Sequence, residues 1–466
     1  MGRKVLAAKS GRAACSCAAA GDGIAAKNAK GAKSFSTGFT GLREVSVKPA
    51  KTKPSGVAWL GDIPDGWKMM VGKHVYTVQA GAPFDSTKFS NVSGFPLVRI
   101  RDITSGKSET YYTGDYEAKD VVHDGDLLVG MDGDFHVRWW QGGEALLNQR
   151  CCKIQPRDVI TSRFAYYFLP FALADINAIA YATTVKHLSN WDLENVRIPL
   201  PPLPEQRAIA NYLDEKCGAI DAAVAEAKKG IEEYKAWKTS LIDDVVCNGI
   251  VRHRHRKETG EVWLADIPIE WDFVQIRYLF ALRDERNDKP LKDVNLISLY
   301  TDKGVVQHAD LEKTTGNKAS TADGYKLVYE NDIVVNIILC WMGAVGRSAY
   351  NGVTSPAYDV YRPIDPTKVL SRYYHYLFRT PRFNGKCYEE GRGIMMMRWR
   401  TYSSEFRAIK VPVPPFEEQQ AIADYLDEKC AAIDAMIAEK EALIADLEAY
   451  KKSLIYETVT GKREVL

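Results

Sequence analysis

The sequence predicts an α+β protein with two globular modules and two long helices, built as an internal repeat. The first observation is that IANYLDEKC at 209–217 returns as IADYLDEKC at 422–430. The second is that apolar residues recur in heptads after each copy, which is typical of a long helix that packs on a partner helix. The third is that the segments between the repeated blocks differ from each other.

The repeat extends well beyond these nine residues. Three further pairs of stretches are similar, namely VRIPLPPLPEQ at 196–206 and IKVPVPPFEEQ at 409–419, SGVAWLGDIPDGW from Ser55 and TGEVWLADIPIEW from Thr259, and DGDLLV at 124–129 and ENDIVV at 330–335. Residues 69–195 and 273–408 otherwise share little. This pattern indicates a tandem duplication, in which the ends build a common frame and the middles have diverged to read two different things.

A long helix is predicted after each Pro-rich stretch. Pro204 and Pro415 suit the starts of these helices, because proline is tolerated in a first helical turn. Gly249 and Gly461 suit their ends, where a left-handed residue often terminates a helix. Each helix would be roughly 65 Å long at about 1.5 Å per residue.

The heptad seam predicts that the two helices pack on each other. Its apolar members are Leu213, Ile220, Val224, Ile231, Leu241, Leu426, Ile433, Ile437, Ile444, Leu447 and Leu454. Lys238 and Lys451 interrupt the seam and are predicted to fix its register. Two independent surface helices remain the alternative. A rod with a module at each repeat would hold the modules at a fixed separation, which on DNA means two half-sites with unread base pairs between them.

The composition is that of a globular protein with a basic leader. The chain has 466 residues, enough for two or three domains, and no apolar run reaches the roughly 18–20 residues of a membrane span. Its nine cysteines are scattered, a pattern typical of a reducing cytosol, and the absence of a CxxC pair makes a zinc ribbon or finger unexpected. Residues 1–54 carry eleven Lys or Arg against Asp22 and Glu44. This leader is predicted to be disordered, either as a DNA-attracted tail or as an over-extended start of translation.

Four groups of motifs carry a resemblance to a known family. They are W-L-x-D-I-P-x-x-W at Trp59 and Trp263, L-N-Q-R at 147–150, S-P-A-Y at 355–358, and the P-L-P-P-L-x-E-Q block before the first long helix. Through them the sequence resembles the specificity subunits of type I restriction–modification systems from residue 55 to residue 466. The doubled P-P-x-x-E-Q block is the most specific of these signals.

The resemblance implies a division of labour within the chain. It implies two target-recognition domains, at 55–203 and 249–415, each of which reads one half of a bipartite DNA site. It also implies that the long helices, at 204–248 and at 416–466 with the C-terminal tail, form an antiparallel coiled coil that sets the gap between the half-sites. A pseudo-twofold axis would relate the two repeats.

The resemblance further implies partners, cofactors and a location. Two modification subunits would dock on this frame and methylate adenines, and two restriction subunits would add ATP-driven translocation and DNA cleavage. The complex would thus act as a type I site-specific deoxyribonuclease and an adenine-N6 DNA methyltransferase. S-adenosylmethionine, ATP and Mg would be used by these partners, and no cofactor would be bound by this chain. The expected location is the cytoplasm of a bacterium or an archaeon.

The chain itself is predicted to be non-catalytic and to hold no metal. Its sequence contains no G-x-x-x-x-G-K-[ST] stretch and no Asn/Asp-Pro-Pro-Tyr/Phe stretch. Two alternatives stay open at this stage. One is a stand-alone DNA methyltransferase or nuclease with unrecognised motifs, and the other is a coiled-coil scaffold that does not bind DNA.

Candidate DNA-binding residues come from the divergent middles, because specific reading needs donors that reach base edges and cations that reach phosphates. The predicted set is Arg138, Gln149, Arg150, Thr183, Thr184, Lys186, His187, Arg347, Arg392, Arg398, Trp399 and Arg400. Either Trp139 or Trp140 is expected in the core, because neighbours alternate across a strand. Since the chain beyond the leader is net acidic, DNA binding without partners is expected to be weak.

Overall fold

The structure is a computed structural model that describes residues 51–179, 187–308, 321–393 and 399–465. The chain divides into two compact units: unit 1 comprises residues 1–220 and 449–466, and unit 2 comprises residues 221–448. The predicted domains set the long helices apart from the modules. The compact units instead include one part of each long helix, because the helix ends pack into the cores of the modules.

Unit 1 combines short strands with three helices of its own and the start of a long one. Its strands are β1 (Thr52–Pro54), β2 (Asp62–Pro64), β3 (Lys68–Val71), β4 (Tyr76–Ala80), β5 (Phe89–Ser90), β6 (Phe95–Val98), β7 (Thr110–Tyr112), β8 (Val121–Val122), β9 (Leu127–Gly130), β10 (Val137–Trp139), β11 (Ala145–Leu147), β12 (Cys151–Pro156) and β13 (Arg197–Leu200). Its helices are α1 (Ile100–Ser105), α2 (Ser162–Ile179), α3 (Asn190–Asn195) and the first part of α4 (Leu203–Asn248).

Two larger sheets organise unit 1. One is antiparallel, with the order β10-β9-β12-β4, and the other has the order β5-β7-β6-β11-β8, in which β6 and β11 run parallel. One hydrophobic cluster draws Leu128 and Cys151 from the first sheet, Val98 from the second, and Ile103 from α1. Trp140 belongs to the same cluster and is fully buried, which confirms that one of the two adjacent tryptophans is in the core.

Unit 2 has a similar inventory of elements. Its strands are β14 (Arg256–Glu258), β15 (Asp266–Pro268), β16 (Asp272–Gln275), β17 (Phe280–Arg283), β18 (Ile297–Tyr300), β19 (Gly304–Gln307), β20 (Lys326–Val328), β21 (Ile333–Asn336), β22 (Val345–Arg347), β23 (Gly352–Thr354), β24 (Tyr358–Pro363) and β25 (Lys410–Val413). Its helices are α5 (Ser371–Leu377), α6 (Pro381–Glu390), α7 (Ser403–Ala408), the second part of α4, and most of α8 (Phe416–Val459), whose last turns belong to unit 1. Its core joins the antiparallel sheet β22-β21-β24-β17 to α5, α6 and parts of both long helices.

The same frame occurs in both units. The order β10-β9-β12-β4 in unit 1 corresponds to β22-β21-β24-β17 in unit 2. The similar stretches DGDLLV and ENDIVV form the turns into β9 and β21. There Asp126 accepts a hydrogen bond from the His123 backbone N–H, and Asp332 accepts one from the Tyr329 backbone N–H, both at 2.9 Å. The repeated acidic residue therefore builds a turn in each unit.

The start of each long helix is held by a buried glutamine from the repeated block. In unit 1, Gln206 accepts from the Thr161 backbone N–H at 2.8 Å and donates to the carbonyls of Val159 and Pro201 at 3.0 Å. In unit 2, Gln419 accepts from the Leu370 N–H and donates to the carbonyls of Lys368 and Pro414, all at 2.9 Å. Each amide thus ties one long helix to the loop before α2 or α5.

The repeated tryptophan and glutamate residues meet next to these glutamines. The indole N–H of Trp67 donates to Glu205 at 2.9 Å in unit 1, and that of Trp271 donates to Glu418 at 2.9 Å in unit 2. The W-L-x-D-I-P-x-x-W block and the P-P-x-x-E-Q block are far apart in sequence, and this contact joins them. Their joint repetition therefore reflects one structural contact in each unit.

The predicted helices and their ends agree with the structure. The first long helix has 46 residues and the second has 44. Gly249 and Gly461, just beyond the helices, have φ angles of 74° and 71°, a conformation that glycine adopts without strain. None of the predicted seam residues is exposed: the buried ones are Leu213, Ile220, Val224, Ile231, Leu426, Ile433, Leu447 and Leu454, and the half-buried ones are Leu241, Ile437 and Ile444.

One boundary of the predicted leader is wrong. Residues 52–54 form β1, which pairs with β2 in an antiparallel register that places Thr52 opposite Pro64. The backbone hydrogen bonds of this pair make residues 52–54 part of unit 1 rather than of a disordered leader. Within the described part of the chain, none of the helices is long and apolar enough to cross a membrane.

Replacing Gly461 by Ala is expected to destabilise the protein by about 1–3 kcal/mol, because a non-glycine residue is strained at positive φ. The new Cβ would also lie 2.2 Å from Cδ of Pro64. Gly218 is the matched control: it lies inside α4, and a Cβ there would meet nothing within 4 Å. Gly218→Ala should therefore stabilise the helix by about 0.5–1 kcal/mol. Thermal unfolding would measure both changes, and equal melting temperatures for the two variants would contradict this account.

Candidate nucleic-acid interface

In unit 1, two of the predicted residues, Arg150 and His187, come together at Asp132. The ion pair between Arg150 and Asp132 spans 3.6 Å, and Nδ1 of His187 lies 2.7 Å from Oδ1 of the same carboxylate. The side chains of Arg150 and His187 are 56% and 45% exposed. Gln149, next to Arg150, is also exposed. One edge of the unit thus presents two basic groups and an amide to solvent.

Backbone hydrogen bonds fix this edge. The N–H of Met131 donates to the Arg150 carbonyl at 2.9 Å, and the N–H of Leu188 donates to the Met131 carbonyl at 2.7 Å. The segment before α3 is therefore joined to the loop after β9. This joining brings together residues that are about 55 positions apart in sequence.

Arg138 contacts the backbone of α1. Its guanidinium donates to the Thr104 carbonyl at 3.1 Å, near the end of α1. A Cβ on Gly106 would lie 2.2 Å from the same guanidinium, so the arginine covers that glycine closely. Arg138 thus binds one of the carbonyls that the end of a helix leaves unpaired. Thr183, Thr184 and Lys186 lie outside the described residues.

In unit 2, the predicted stretch forms the base of a hairpin. The backbones of Arg392 and Arg400 exchange two hydrogen bonds, of 2.8 Å and 3.0 Å. Trp399 donates its indole N–H to the Tyr388 carbonyl at 2.9 Å and stacks on the Tyr388 ring, with 5.0 Å between centroids. A Cβ on Gly391 would lie 2.4 Å from the Trp399 nitrogen, so this position requires glycine.

The cations of this hairpin differ in exposure. The Arg392 side chain is 76% exposed and forms a 3.3 Å ion pair with Glu405, whereas Arg400 is half-buried. Arg398 lies outside the described residues. Arg347 is on β22, where its guanidinium donates to the Asn331 side chain at 3.0 Å. The structure therefore brings Arg392, Trp399 and Arg400 together and places Arg347 on a different element.

Sequence reasoning missed the acidic partners of these cations. Asp132 and Glu405 hold the exposed arginines Arg150 and Arg392, and neither carboxylate was among the predicted site residues. Asp132 lies in the Gly-rich stretch that supplied Arg138, so an acidic residue close to donors was the available signal. Glu405 carries no comparable signal, because its contact depends on how α7 packs beside the hairpin.

A half-buried histidine, His375, lies against the strand that carries Arg347. Nδ1 of His375 accepts from the Arg347 backbone N–H at 3.1 Å. Burial, together with the nearby cations of Arg379 and Arg347, lowers the pKa of His375 to about 3. A small depression of about 130 Å³ beside it is lined by Arg347, Arg372, His375, Tyr376 and Asp427.

The described residues define a duplicated α+β protein in which each unit presents donors on an edge of a shared frame. The chain belongs to the family of type I restriction modification DNA specificity domains, whose model matches residues 64–229 and 268–445. The chain is 28% identical over 437 residues to the specificity subunit of the type I restriction enzyme EcoBI of Escherichia coli, covering 86% of this chain and 87% of that protein. These two matches confirm the resemblance drawn from the sequence motifs.

Two further comparisons agree with this family. The chain is 22% identical to the MjaVIII specificity subunit of Methanocaldococcus jannaschii, covering 74% of this chain and 80% of that protein. A solved structure from work on complex assembly and conformational transition of the type I R-M system aligns with a TM-score of 0.62 and 15% identity. It covers 87% of this chain and 99% of that one, and this likeness concerns the fold. In the four described segments, no group of three or more His, Cys, Asp or Glu residues could hold a metal ion.

Replacing His375 by Asn is expected to reduce the pH dependence of stability. An unfolded histidine binds a proton below about pH 6.5, whereas the folded pKa of His375 is about 3. The folded state therefore loses about 2 kcal/mol of stability between about pH 7.5 and pH 5, because the unfolded state alone takes up the proton. Asn keeps an acceptor for the Arg347 N–H and removes this loss. Melting temperatures of the variant and the wild type at about pH 7.5 and pH 5 would measure this loss of stability. An equal fall in melting temperature in the two proteins would contradict the prediction.

Proposed function

We propose that this chain is the DNA sequence-specificity subunit of a type I restriction–modification complex and that each unit reads one half of a bipartite DNA site. The observation that carries this proposal is the family match to both repeats, on a frame that presents unlike donor sets in the two units. Unit 1 offers Gln149, Arg150 and His187, and unit 2 offers Arg392, Trp399 and Arg400. Two different half-sites require two different sets of DNA-contacting residues, here called reading edges, on a shared structural frame.

The contacts between the long helices support an antiparallel coiled coil. Within unit 2, Lys238 forms a 2.7 Å ion pair with Asp434, and Lys228 forms one of 3.7 Å with Glu448. The residue number falls by ten in α4 while that of its partner rises by fourteen in α8, so the two helices run in opposite directions. The Lys238 contact agrees with a role for this lysine in the register of the seam. The heptad seam and these pairs would give the rod that sets the gap between the half-sites.

The close approach of the helices supports the same arrangement. A Cβ on Gly230 would lie 3.0 Å from Cε of Lys440, and the Lys440 ammonium lies 5.7 Å from the centre of the Tyr234 ring. Glycine in the middle of α4 costs helix stability, so a neighbour that fills the space beside it accounts for its presence. We place the coiled coil at these residues.

The proposed chain works without catalysing the chemistry itself. Modification subunits would dock on the long helices and methylate adenine with S-adenosylmethionine, and restriction subunits would use ATP and Mg to translocate and cleave DNA. The complex would act in the cytoplasm of a bacterium or an archaeon. The alternatives of a stand-alone enzyme and a DNA-free scaffold find no support in the family comparisons.

A methylome tests the proposal directly. The chain is expressed with the modification subunit encoded beside it, in a host without adenine methylation, and N6-methyladenine is mapped by single-molecule sequencing. The expected result is a new bipartite motif that disappears when the chain is omitted. Methylation that persists without the chain, or a motif with a single continuous half, would overturn the proposal.

Arg150→Ala and Arg392→Ala are expected to affect different halves of that motif. Each should lower methylation at the half-site read by its own unit by roughly tenfold or more, because an arginine contact to a base or a phosphate is lost. Arg256→Ala is the matched control, since Arg256 is also a surface arginine paired with a carboxylate, Asp266, but lies on the β14–β15 hairpin. Methylation rates on duplexes with one altered half-site would measure the effect. Equal losses at both half-sites for either variant would count against separate reading.

Lengthening both long helices is expected to lengthen the unread gap. Seven residues inserted after Ile231 and seven after Lys440 would keep the heptad seam in register and add about 10 Å to the rod. At about 3.4 Å per base pair, this corresponds to roughly three more base pairs between the half-sites. The control inserts seven residues into α4 alone, which leaves the seams mismatched. If the complex with both insertions still methylates half-sites at the original gap, the length of the coiled coil does not set the spacing.

A further inference from the structure

A second set of contacts joins each module to its long helix. In unit 1, Arg163 on α2 donates to the Asn211 side chain at 2.9 Å and forms an ion pair with Asp214 on α4. The hydroxyl of Tyr167, one turn further along α2, donates to Asp214 at 2.6 Å. We call these four residues the clasp of unit 1.

Unit 2 contains the same clasp at equivalent positions. Arg372 on α5 forms ion pairs with Asp424, at 2.9 Å, and with Asp427 on α8. The hydroxyl of Tyr376 donates to Asp427. In both clasps the donors are four residues apart on the module helix, and the acceptors are three residues apart on the long helix. Such spacings place each pair on one helix face.

The acceptors lie inside the repeated stretch IANYLDEKC and IADYLDEKC. The two copies differ at one residue, Asn211 in the first and Asp424 in the second. Both residues still accept from the clasp arginine through a side-chain oxygen. The donors also share a sequence signal, since S-R-x-x-x-Y occurs at 162–167 and at 371–376.

The clasp is a geometrically restrictive contact. An arginine that bonds two acceptors fixes both the distance and the orientation of the two helices, which a single lysine pair does not. In unit 2, burial raises the pKa of Tyr376, and the hydrogen bond to Asp427 raises it further, so the phenol stays a donor. The Arg372 side chain is 31% exposed, so solvent screens this contact only in part.

The helices that carry the clasp also touch corresponding strands of the two four-stranded sheets. In unit 1, Tyr166 on α2 packs edge-on against Trp139 on β10, with 6.4 Å between centroids. In unit 2, His375 on α5 accepts from the backbone N–H of Arg347 on β22. β10 and β22 hold the same place in their sheets. Each unit therefore has a short chain of contacts from its four-stranded sheet through one helix to the long helix.

We propose that the two clasps are positioning devices that hold each reading module at one orientation on its long helix and so make the complex strict about the number of unread base pairs. This inference rests on the proposed function. The clasp residues would not touch DNA. They would act by removing the small rotations of a module that let its reading edge reach a half-site displaced by one base pair.

The test measures methylation as a function of spacing. Complexes of the modification subunit with wild-type chain, Tyr376→Phe, Arg372→Gln and the double variant are given DNA duplexes with the mapped half-sites and gaps of the native length or one base pair more or less. Tyr376→Phe removes one oxygen, so it keeps the test valid if Arg372→Gln fails to fold. Tyr278→Phe is the matched control, because Tyr278 is an exposed tyrosine of the same unit.

The expected result is that the clasp variants lower the preference for the native gap over the altered gaps by roughly tenfold, while the preferred bases in each half-site stay the same. Tyr167→Phe should do the same from unit 1. A merely structural role would lower the melting temperature or the overall rate and leave the ratio of rates between gaps unchanged, and that result would overturn the proposal. Changed base preferences would overturn it too, because the clasp would then belong to the reading edge. A wild-type complex that methylates no bipartite site would overturn the proposed function itself.

Discussion

The buried glutamine at the start of each long helix is the contact on which the rest of each unit depends. Prolines before Gln206 and Gln419 have no N–H to donate, so the chain between the last strand and the helix cannot satisfy the neighbouring carbonyls with its own backbone. Each amide supplies the missing donors and accepts from the loop before α2 or α5. A buried amide with all its partners is rigid, because losing one partner leaves a desolvated polar group. The direction of the long helix is therefore fixed where the clasp helix begins.

Sequence reasoning located the frame well, but it did not reveal which contacts the predicted DNA-binding residues make in the fold. The long helices and their terminal glycines follow from local rules of periodicity and backbone conformation, and these rules need no knowledge of the tertiary fold. The five-stranded sheet of unit 1 could not be predicted, because its very short strands have no periodic pattern. The hydrogen bond from Arg138 to a carbonyl of α1 also depends on tertiary packing, which the sequence does not reveal. The contact of Arg150 and His187 with one carboxylate likewise arises only when distant segments meet.

The carboxylates beside the exposed arginines shape how DNA could be bound. Asp132 and Glu405 form ion pairs with Arg150 and Arg392 in the free protein, so a phosphate or a base would compete with an existing partner. The free energy of such a contact is the difference between two charge-assisted pairs, which is smaller than the free energy of either. Each arginine is also held near its observed orientation before DNA arrives, which lowers the ordering cost on binding. A reading edge of this kind discriminates between partners without strong general affinity for nucleic acid.

The two repeats begin to differ immediately beside the contacts that they share. The clasp arginine, tyrosine and aspartate are the same in both units, whereas the residue beside the clasp tyrosine is Tyr166 in one and His375 in the other. The strand residue that each of these meets is Trp139 or Arg347, so an aromatic contact in unit 1 corresponds to a hydrogen bond in unit 2. The clasp helix and the strand thus meet at the same place in both units, although the chemistry of their contact differs. Because the clasp fixes the helix on one side, the other side can accept a different strand residue without moving the long helix. Two repeats that recognise different half-sites need this independence, because each unit must be able to change the bases it recognises without changing its position on the DNA.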